Sequence, residues 1–264
     1  MSRKQYPSAI SCEQFEQIRP LLEGSRKTAA LRKWDWYDIF CAILYLLKNA
    51  ATWRALSGDF PAPSTVRYHF DHWKKVGEEG TDSLLEQALK NQVAPERENN
   101  GRPRSTRFCI VDAQSVKNTD TARHKGYDAG KKVSGIKRHI AMDARGLPHA
   151  IAVTTADVND MNGALLMLLQ NDDGLSEVRK VLVDGGYTGE RFENMVRQIR
   201  GAQVEVAQRH ALHKFAFIRK SWIVERSFAW LEKCRRLWKN CERKLHTSEQ
   251  FIVLAFLSLL LKRY

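Results

Sequence analysis

Apolar residues recur at helical spacing through the first third of the chain and at strand spacing afterwards. Phe15, Ile18 and Leu22 lie on one face behind Ser11, a residue suited to cap a helix over 12–22. Ile39, Phe40, Ile43, Leu44 and Leu47 form a wide apolar stripe over 36–48. A short stretch at 52–56 and the turn-rich run Gly58-Asp59-Phe60-Pro61-Ala62-Pro63 lead into a third helix over 64–75. There Ser64 reads as the N-cap, and Val66, Phe70 and Trp73 are spaced to face a core. Helix, turn, short helix, turn, helix is the order of a helix-turn-helix, whose last helix would present Thr65, Arg67, Tyr68 and Lys74 outward. His69 and His72 of that helix are expected to face solvent or DNA. A plain helical bundle with a basic surface has the same pattern.

Residues 91–106 are polar, charged and turn-rich, which predicts a linker between a helical domain over 1–90 and a second domain over 107–264. Past residue 107 the period shortens. Strands are predicted over 107–112, 133–143 and 147–155, with Arg145-Gly146 closing the last two into a hairpin. A helix over 159–169, a buried strand over 180–184, an amphipathic helix over 190–200, a strand over 203–207 and a long helix over 220–237 follow. The run 251–261 is too short to span a bilayer and predicts a buried C-terminal helix. Three strands, helix, strand, helix, strand, helix is the order of the ribonuclease-H-like α/β fold, a mixed sheet flanked by helices. The expected architecture is that fold preceded by an all-α, helix-turn-helix-like domain.

Charge adds a partner class. The 264 residues carry 43 Lys and Arg against 30 Asp and Glu, a net charge of +13, which suits a protein lying along phosphate backbones. The five cysteines are scattered and form no C-x-x-C pair, as expected for reduced thiols in a cytosolic protein rather than a disulfide framework or zinc ribbon. No signal-like apolar stretch follows Met1-Ser2-Arg3-Lys4-Gln5-Tyr6, and no membrane association is expected.

Against this background three acids stand out. Asp112 ends the apolar run Phe108-Cys109-Ile110-Val111, and Asp184 ends Val181-Leu182-Val183 and precedes Gly185-Gly186-Tyr187. Glu225 lies in the helical segment Trp222-Ile223-Val224-Glu225-Arg226-Ser227-Phe228-Ala229-Trp230. An acid at the end of a buried strand is costly unless something positive meets it. Two strand-end acids and one from a facing helix make an oxygen-rich site for Mg2+, with Mn2+ able to substitute. Two such ions stabilise the attacking oxygen, the leaving oxygen and the phosphoryl charge of phosphodiester cleavage. The glycine pair is expected to let the backbone turn sharply and leave room for a DNA strand. Trp222, Phe228 and Trp230 are expected to anchor the helix, and Lys233, Arg235, Arg236, Lys239, Arg243 and Lys244 to form a basic stripe along a phosphate backbone. Singly, each acid has an ordinary reading as a turn former or a solvated helix residue; their force is joint. His210 and His213 read as a basic loop, Asp143 as a turn residue, Asp120 and Asp128 as residues of an irregular stretch, and Asp157 and Asp160 as helix-start acids, Asp160 as a possible cap.

The blocks Ile110-Val111-Asp112-Ala113-Gln114-Ser115-Val116-Lys117, Gly130-Lys131-Lys132-Val133-Ser134-Gly135-Ile136-Lys137-Arg138-His139, Val183-Asp184-Gly185-Gly186-Tyr187-Thr188-Gly189 and Val224-Glu225-Arg226-Ser227-Phe228-Ala229-Trp230-Leu231 resemble signature blocks of bacterial insertion-sequence DDE transposases, family five most closely. Trp53-Arg54-Ala55-Leu56, Asp59-Phe60-Pro61 and Phe70-Asp71-His72-Trp73 resemble that family's helix-turn-helix region. The resemblance implies magnesium-dependent cleavage at transposon ends and joining of the 3′ hydroxyl to target DNA, with Asp112, Asp184 and Glu225 as the catalytic, metal-holding triad. It also implies double-stranded DNA partners (terminal inverted repeats and target), a homodimer or larger assembly, and a bacterial cytoplasmic, nucleoid-associated setting. Relatives in insertion-sequence family four carry an Arg four before the Glu and a Lys seven after it; here those positions are Ser221 and Glu232. Arg219, Lys220, Arg226 or Lys233 would then contact the scissile phosphates. A DNA-binding regulator and a structure-selective nuclease are the alternatives.

Overall fold

The computed structural model describes residues 6–24, 34–77, 80–207 and 215–263, and of residues 172 and 215–221 the backbone alone. The chain folds as two units. The described parts of 1–92, 233–238 and 250–264 form one, and 93–232 with 239–249 the other.

The first unit is helical: α1 (Cys12–Glu16), α2 (Arg19–Glu23), α3 (Trp36–Asn49), a 3-10 turn at Trp53–Ala55 and α4 (Pro63–Trp73). Ser11 caps α1, its Oγ accepting from Gln14 N at 3.1 Å while Gln14 Oε1 accepts from Ser11 N at 2.9 Å. The single helix predicted over 12–22 is instead two, because Pro20 has no N–H to continue the ladder and opens the second. Ser64 is not an N-cap: Pro63 takes the first helical position with its preset φ and Ala62 stands at the cap. Trp36 stacks on Trp73 with ring centroids 5.5 Å apart, and Phe70 on Phe251 at 4.7 Å. His69 is buried edge-on to Trp36 at 4.9 Å, so it faces the core rather than solvent or DNA.

Helix α5 (Leu84–Asn99) occupies the first half of the predicted linker. A capping box starts it, with Ser83 N donating to Glu86 Oε2 at 2.7 Å and Glu86 N to Ser83 Oγ at 3.2 Å. Leu85, Ala88, Leu89 and Val93 give it a buried stripe, which outweighs the polarity of 91–99 and carries the helix through Pro95.

The second unit is built on one mixed sheet of β1 (Phe108–Lys117), β2 (Gly126–Asp128), β3 (Val133–Met142), β4 (Pro148–Thr155), β5 (Lys180–Val183) and β6 (Gln203–Val206). β3 runs antiparallel to β1 on one side and to β2 and β4 on the other, while β5 is parallel to β1 and β6 parallel to β5. Apart from the short β2, the order β4-β3-β1-β5-β6, an antiparallel meander followed by two parallel crossover strands, is the ribonuclease-H-like fold. The crossovers are α6 (Asp160–Gln170) with α7 (Asp172–Leu175), and α8 (Glu190–Arg200); α9 (Phe215–Glu232) and α10 (Leu245–Leu261) follow β6. Cys109 and Val111 of β1, Val181 and Val183 of β5 and the inner faces of α6 and α8 share one core. Burial pushes the Cys109 thiol up to about 12, so it behaves as a small hydrophobe. Among the described residues no helix is long and apolar enough to cross a membrane.

Candidate active site

Asp112 stands in the middle of β1, not at its end. The strand extends to Lys117 because β3 is equally long and pairs with it from Ile110↔Met142 to Lys117↔Gly135. The other edge of β1 meets β5 only from Phe108↔Lys180 to Ile110↔Leu182. Carrying that register two residues further sets Asp112 beside Asp184, just where the parallel pairing stops. Asp112 is half-buried and Asp184 exposed, so the pair can be reached from outside.

The electrostatics agree. Burial pushes the Asp112 carboxyl up to about 6; the charges of Asp184 and Asp160 also raise it, against the Ala113 N–H and Lys131. Its Oδ1 accepts from Ala113 N at 2.7 Å. Asp184 is exposed and forms an Asx turn, Oδ1 accepting from Gly186 N at 2.9 Å. The backbone does turn sharply here, Tyr187 N donating to the Asp184 carbonyl at 3.2 Å, although neither Gly185 nor Gly186 takes a left-handed φ. What they leave is space: a Cβ on Gly185 would meet nothing within 4 Å, and one on Gly186 would lie 3.1 Å from Asp184 Oδ1. Tyr187 then dives into the core against Phe192, 5.7 Å between ring centroids. Its Oη is buried without a hydrogen-bond partner among the described atoms. Burial raises its phenol, and Asp112, Asp160 and Asp184 raise it further, which places the hydroxyl in the field of all three acids.

A cationic network borders the pair. Lys137, 4% exposed, lies 2.7 Å from Asp160 Oδ1 and 3.2 Å from Asp128 Oδ2. Asp128 also accepts from Ser115 Oγ at 2.6 Å, and its carboxyl is held at about 2, the Ser115 bond first and Lys137 assisting against burial. Asn159, not Asp160, caps α6, accepting from Asn162 N at 2.7 Å, so the Asp160 carboxylate is left for the lysines. His139 is buried beside the network with Nε2 3.0 Å from Thr154 Oγ1; burial pushes it down to about 4, so it is neutral. Gly163 lets α6 come close, since a Cβ there would lie 2.0 Å from the His139 ring.

Glu225 occupies an exposed position on α9. The helix is held along the sheet at two points. Arg226 Nη2 donates to the Arg145 carbonyl of the β3–β4 turn at 2.9 Å, and Gln114 Nε2 lies 3.5 Å from Glu232 Oε1. Gln114 shares a strand face with Asp112. Glu225 shares a helix face with Glu232, two turns away. α9 therefore carries Glu225 on the side of β1 that bears Asp112. Among the described residues no three His, Cys, Asp or Glu side chains are yet gathered closely enough to hold a metal ion.

The predicted DNA contacts divide. On α4, Arg67 is 60% exposed and Tyr68 is exposed, Thr65 is half-buried, and Lys74 is turned to Asp71 at 2.7 Å with its side chain 15% exposed. The long predicted helix stops at Glu232, which breaks the basic stripe. Lys233 is exposed beyond it, but Arg236 is buried, donating to the Ala51 carbonyl at 2.9 Å and lying over Phe251 at 4.6 Å. Arg236 is thus a core residue of the helical unit, not a surface contact. Trp222 is 54% exposed and stacks with Trp230 around Arg226, at 4.7 and 4.9 Å, rather than anchoring the helix; Phe228 is the buried anchor. The side chains of Arg219 and Lys220, and His210 and His213, lie outside the described residues. Spacing does not point to Lys131, Lys137 or Tyr187 as site residues, although all three sit in the resembling blocks, and it reads Asp160 only as a helix-start acid.

Two family models match the chain: "Transposase DDE domain" over residues 103–261 and "Putative transposase of IS4/5 family" over 10–78. The chain is 35% identical over 127 residues to the "Putative transposase for insertion sequence element IS402" of Burkholderia cepacia, a match spanning 46% of this chain and 60% of that protein's length. The catalytic core domain of BIV integrase superimposes with a TM-score of 0.38 at 15% identity, covering 59% of this chain and 84% of that one. The Mos1 mariner paired-end complex with Mn gives a TM-score of 0.26 at 11% identity over 95% of this chain and 83% of that one.

Proposed function

The chain belongs to the transposase DDE-domain family, and from that premise we propose that it binds the terminal inverted repeats of an insertion sequence, cleaves at its ends and joins the freed 3′ hydroxyl to target DNA. The observation that carries this reading is the Asp112–Asp184 pair at the end of the parallel pairing, where burial and the Asp184 charge both make it costly to ionise Asp112. A pair of hard oxygen donors short of positive charge, with the orphaned Tyr187 hydroxyl behind it, fits a divalent cation of the Mg2+ type. When bound, such ions supply charge at the attacking and leaving oxygens of the phosphodiester.

The protein's own part is positional. Asp112 is fixed by the strand on which it stands, Asp184 by its Asx turn, and Glu225 approaches from α9. Gly185 and Gly186 leave the space a DNA strand needs beside Asp184. The exposed Arg67 and Tyr68 of α4 read the terminal repeat, and the two ends of the element call for two copies of the chain, acting on DNA in the bacterial cytoplasm.

The test uses Asp112→Asn, Asp184→Asn and Glu225→Gln with end-bearing duplexes in magnesium. Each is expected to lose cleavage by more than about a hundredfold while binding the ends as tightly as the parent. Three variants that still cleave would remove the site assignment. Pre-cleaved ends offered with a target plasmid separate a transposase from a nuclease, which would yield no joined product. A regulator would cleave in neither assay.

A further inference from the structure

Among the described residues, Lys131 is a cation whose charge acts on Asp112, and it is not on α9. Lys131, in the turn between β2 and β3, places Nζ 3.2 Å from the carbonyl of Ala113, the residue after Asp112, and 3.4 Å from Asp160 Oδ2. Its backbone is held firmly. Lys131 N donates to Asp128 Oδ1 at 3.0 Å, and Asp128 is itself tied to Ser115 of β1 and to Lys137. The next residue, Lys132, has φ +52°, a conformation that costs a non-glycine residue on the order of 1 kcal/mol and persists where the surroundings impose it.

The two lysines on Asp160 are unequal. Lys137 is buried, 2.7 Å from Asp160 Oδ1, and donates to the Val158 carbonyl at 2.8 Å. Lys131 is 45% exposed and 0.7 Å further from the carboxylate, a tie of the weak, solvent-screened kind. Lys137, shared with Asp128, stays on Asp160, whose side chain is 29% exposed and open to water, so Lys131 can leave without stranding a buried charge. Of the four neighbours expected to serve the phosphates, the two whose side chains are described are otherwise engaged or lie beyond the helix. Arg226 is stacked between Trp222 and Trp230 and bonded to Arg145, and Lys233 lies past the end of α9.

We infer that Lys131 is the cation that grips the scissile phosphate, its ammonium passing from Asp160 to a non-bridging phosphate oxygen beside Asp112 and Asp184. This rests on the reading of that acid pair as the centre of phosphoryl transfer. An ammonium fixed beside the attacked phosphate, in a site where two carboxylates would otherwise repel the anion, stabilises the negative charge that grows on those oxygens. Lys131 belongs to the exposed, basic connection that also presents Arg123, Lys125 and Lys132, so a phosphate held there has further cations along its strand.

The experiment uses the full chain and duplex ends with a stereodefined phosphorothioate at the scissile position. Lys131→Ala is expected to slow cleavage about a hundredfold and to abolish the rate penalty that one sulfur diastereomer imposes on the parent, with Lys131→Arg recovering much of the rate. In EDTA, where no cleavage occurs, the plot of log Kd for the ends against log salt should lose about one unit of slope in Lys131→Ala. Cleavage within threefold of the parent overturns the inference, as does an unchanged slope. A slowed enzyme with the sulfur effect intact also overturns it, because Lys131 would then act through structure alone. If Asp112→Asn and Asp184→Asn still cleave, the acid centre itself is misplaced; if they are dead while Lys131→Ala is normal, Lys131 alone falls.

Discussion

Asp112 and Asp143 are acids of one sheet, and they differ in nearly everything that follows from burial. Asp143 closes the β3–β4 turn, 1% exposed, and the fold surrounds it with partners. Arg97 pairs with it, His149 Nε2 lies 3.8 Å away, and its Oδ1 accepts from Arg145 N at 2.8 Å and Leu147 N at 3.1 Å. Burial alone would raise its carboxyl, but His149 and the two backbone donors hold it at about 2. Asp112 has one backbone donor, two acids nearby and a carboxyl pushed up to about 6. A buried acid that the chain satisfies from within belongs to the architecture. One that the chain leaves short of positive charge is shaped for a partner from outside.

The largest effect should come from breaking the satisfied acid. Asp143→Ala strands Arg97 in the core and is expected to cost about 3 kcal/mol, a fall in Tm of roughly 6–12 °C, by thermal melting. Asp112→Asn should do the reverse at neutral pH, holding or raising Tm. A large loss of stability in Asp112→Asn would end the contrast.

pH sharpens the comparison. Asp112 has a folded value raised above its unfolded one, so its charge opposes folding; the penalty is absent below about pH 4, grows toward pH 6 and is complete above it. In EDTA, Asp112→Asn should therefore melt higher than the parent above pH 6, by an amount near 1 kcal/mol after solvent screening, and the gap should close toward pH 4. Asp143 has a lowered folded value; its contribution is present above about pH 4 and lost as pH falls toward 2. Cleavage should rise about tenfold per unit up to pH 6 and then level, with added magnesium moving the bend to lower pH because ion and proton compete. A bend that ignores magnesium would separate the titration from the metal.

The smallest effect concerns two arginines of the helical unit that differ as the acids do. Arg236, enclosed by Ala51, Trp53 and Phe251, should cost Tm when changed to Ala. Arg67, 60% exposed with a 3.5 Å tie to Asp71, should instead weaken end binding by a few fold at unchanged Tm. Equal affinities in a gel-shift titration would count against α4 as the reading helix.

Much of this molecule is legible without coordinates, because hydrophobic period is a local property. The helical first third, the meander and crossover order, and the two acids closing apolar runs all follow from it. Tertiary structure alone decided what lies beside what. Asp112 became a mid-strand residue because β3 runs past it, and met Asp184 because β5 is parallel to β1 and stops short. Arg236 went inside because a turn after α9 returns the chain to the helical unit. Lys131, in the β2–β3 turn, and Asp160, at the start of α6, meet across 29 residues of chain because the pairing of β3 with β4 brings the two segments together. Periodicity says which face of an element is buried; the charges that meet there are fixed by strand order and register, to which local pattern is blind.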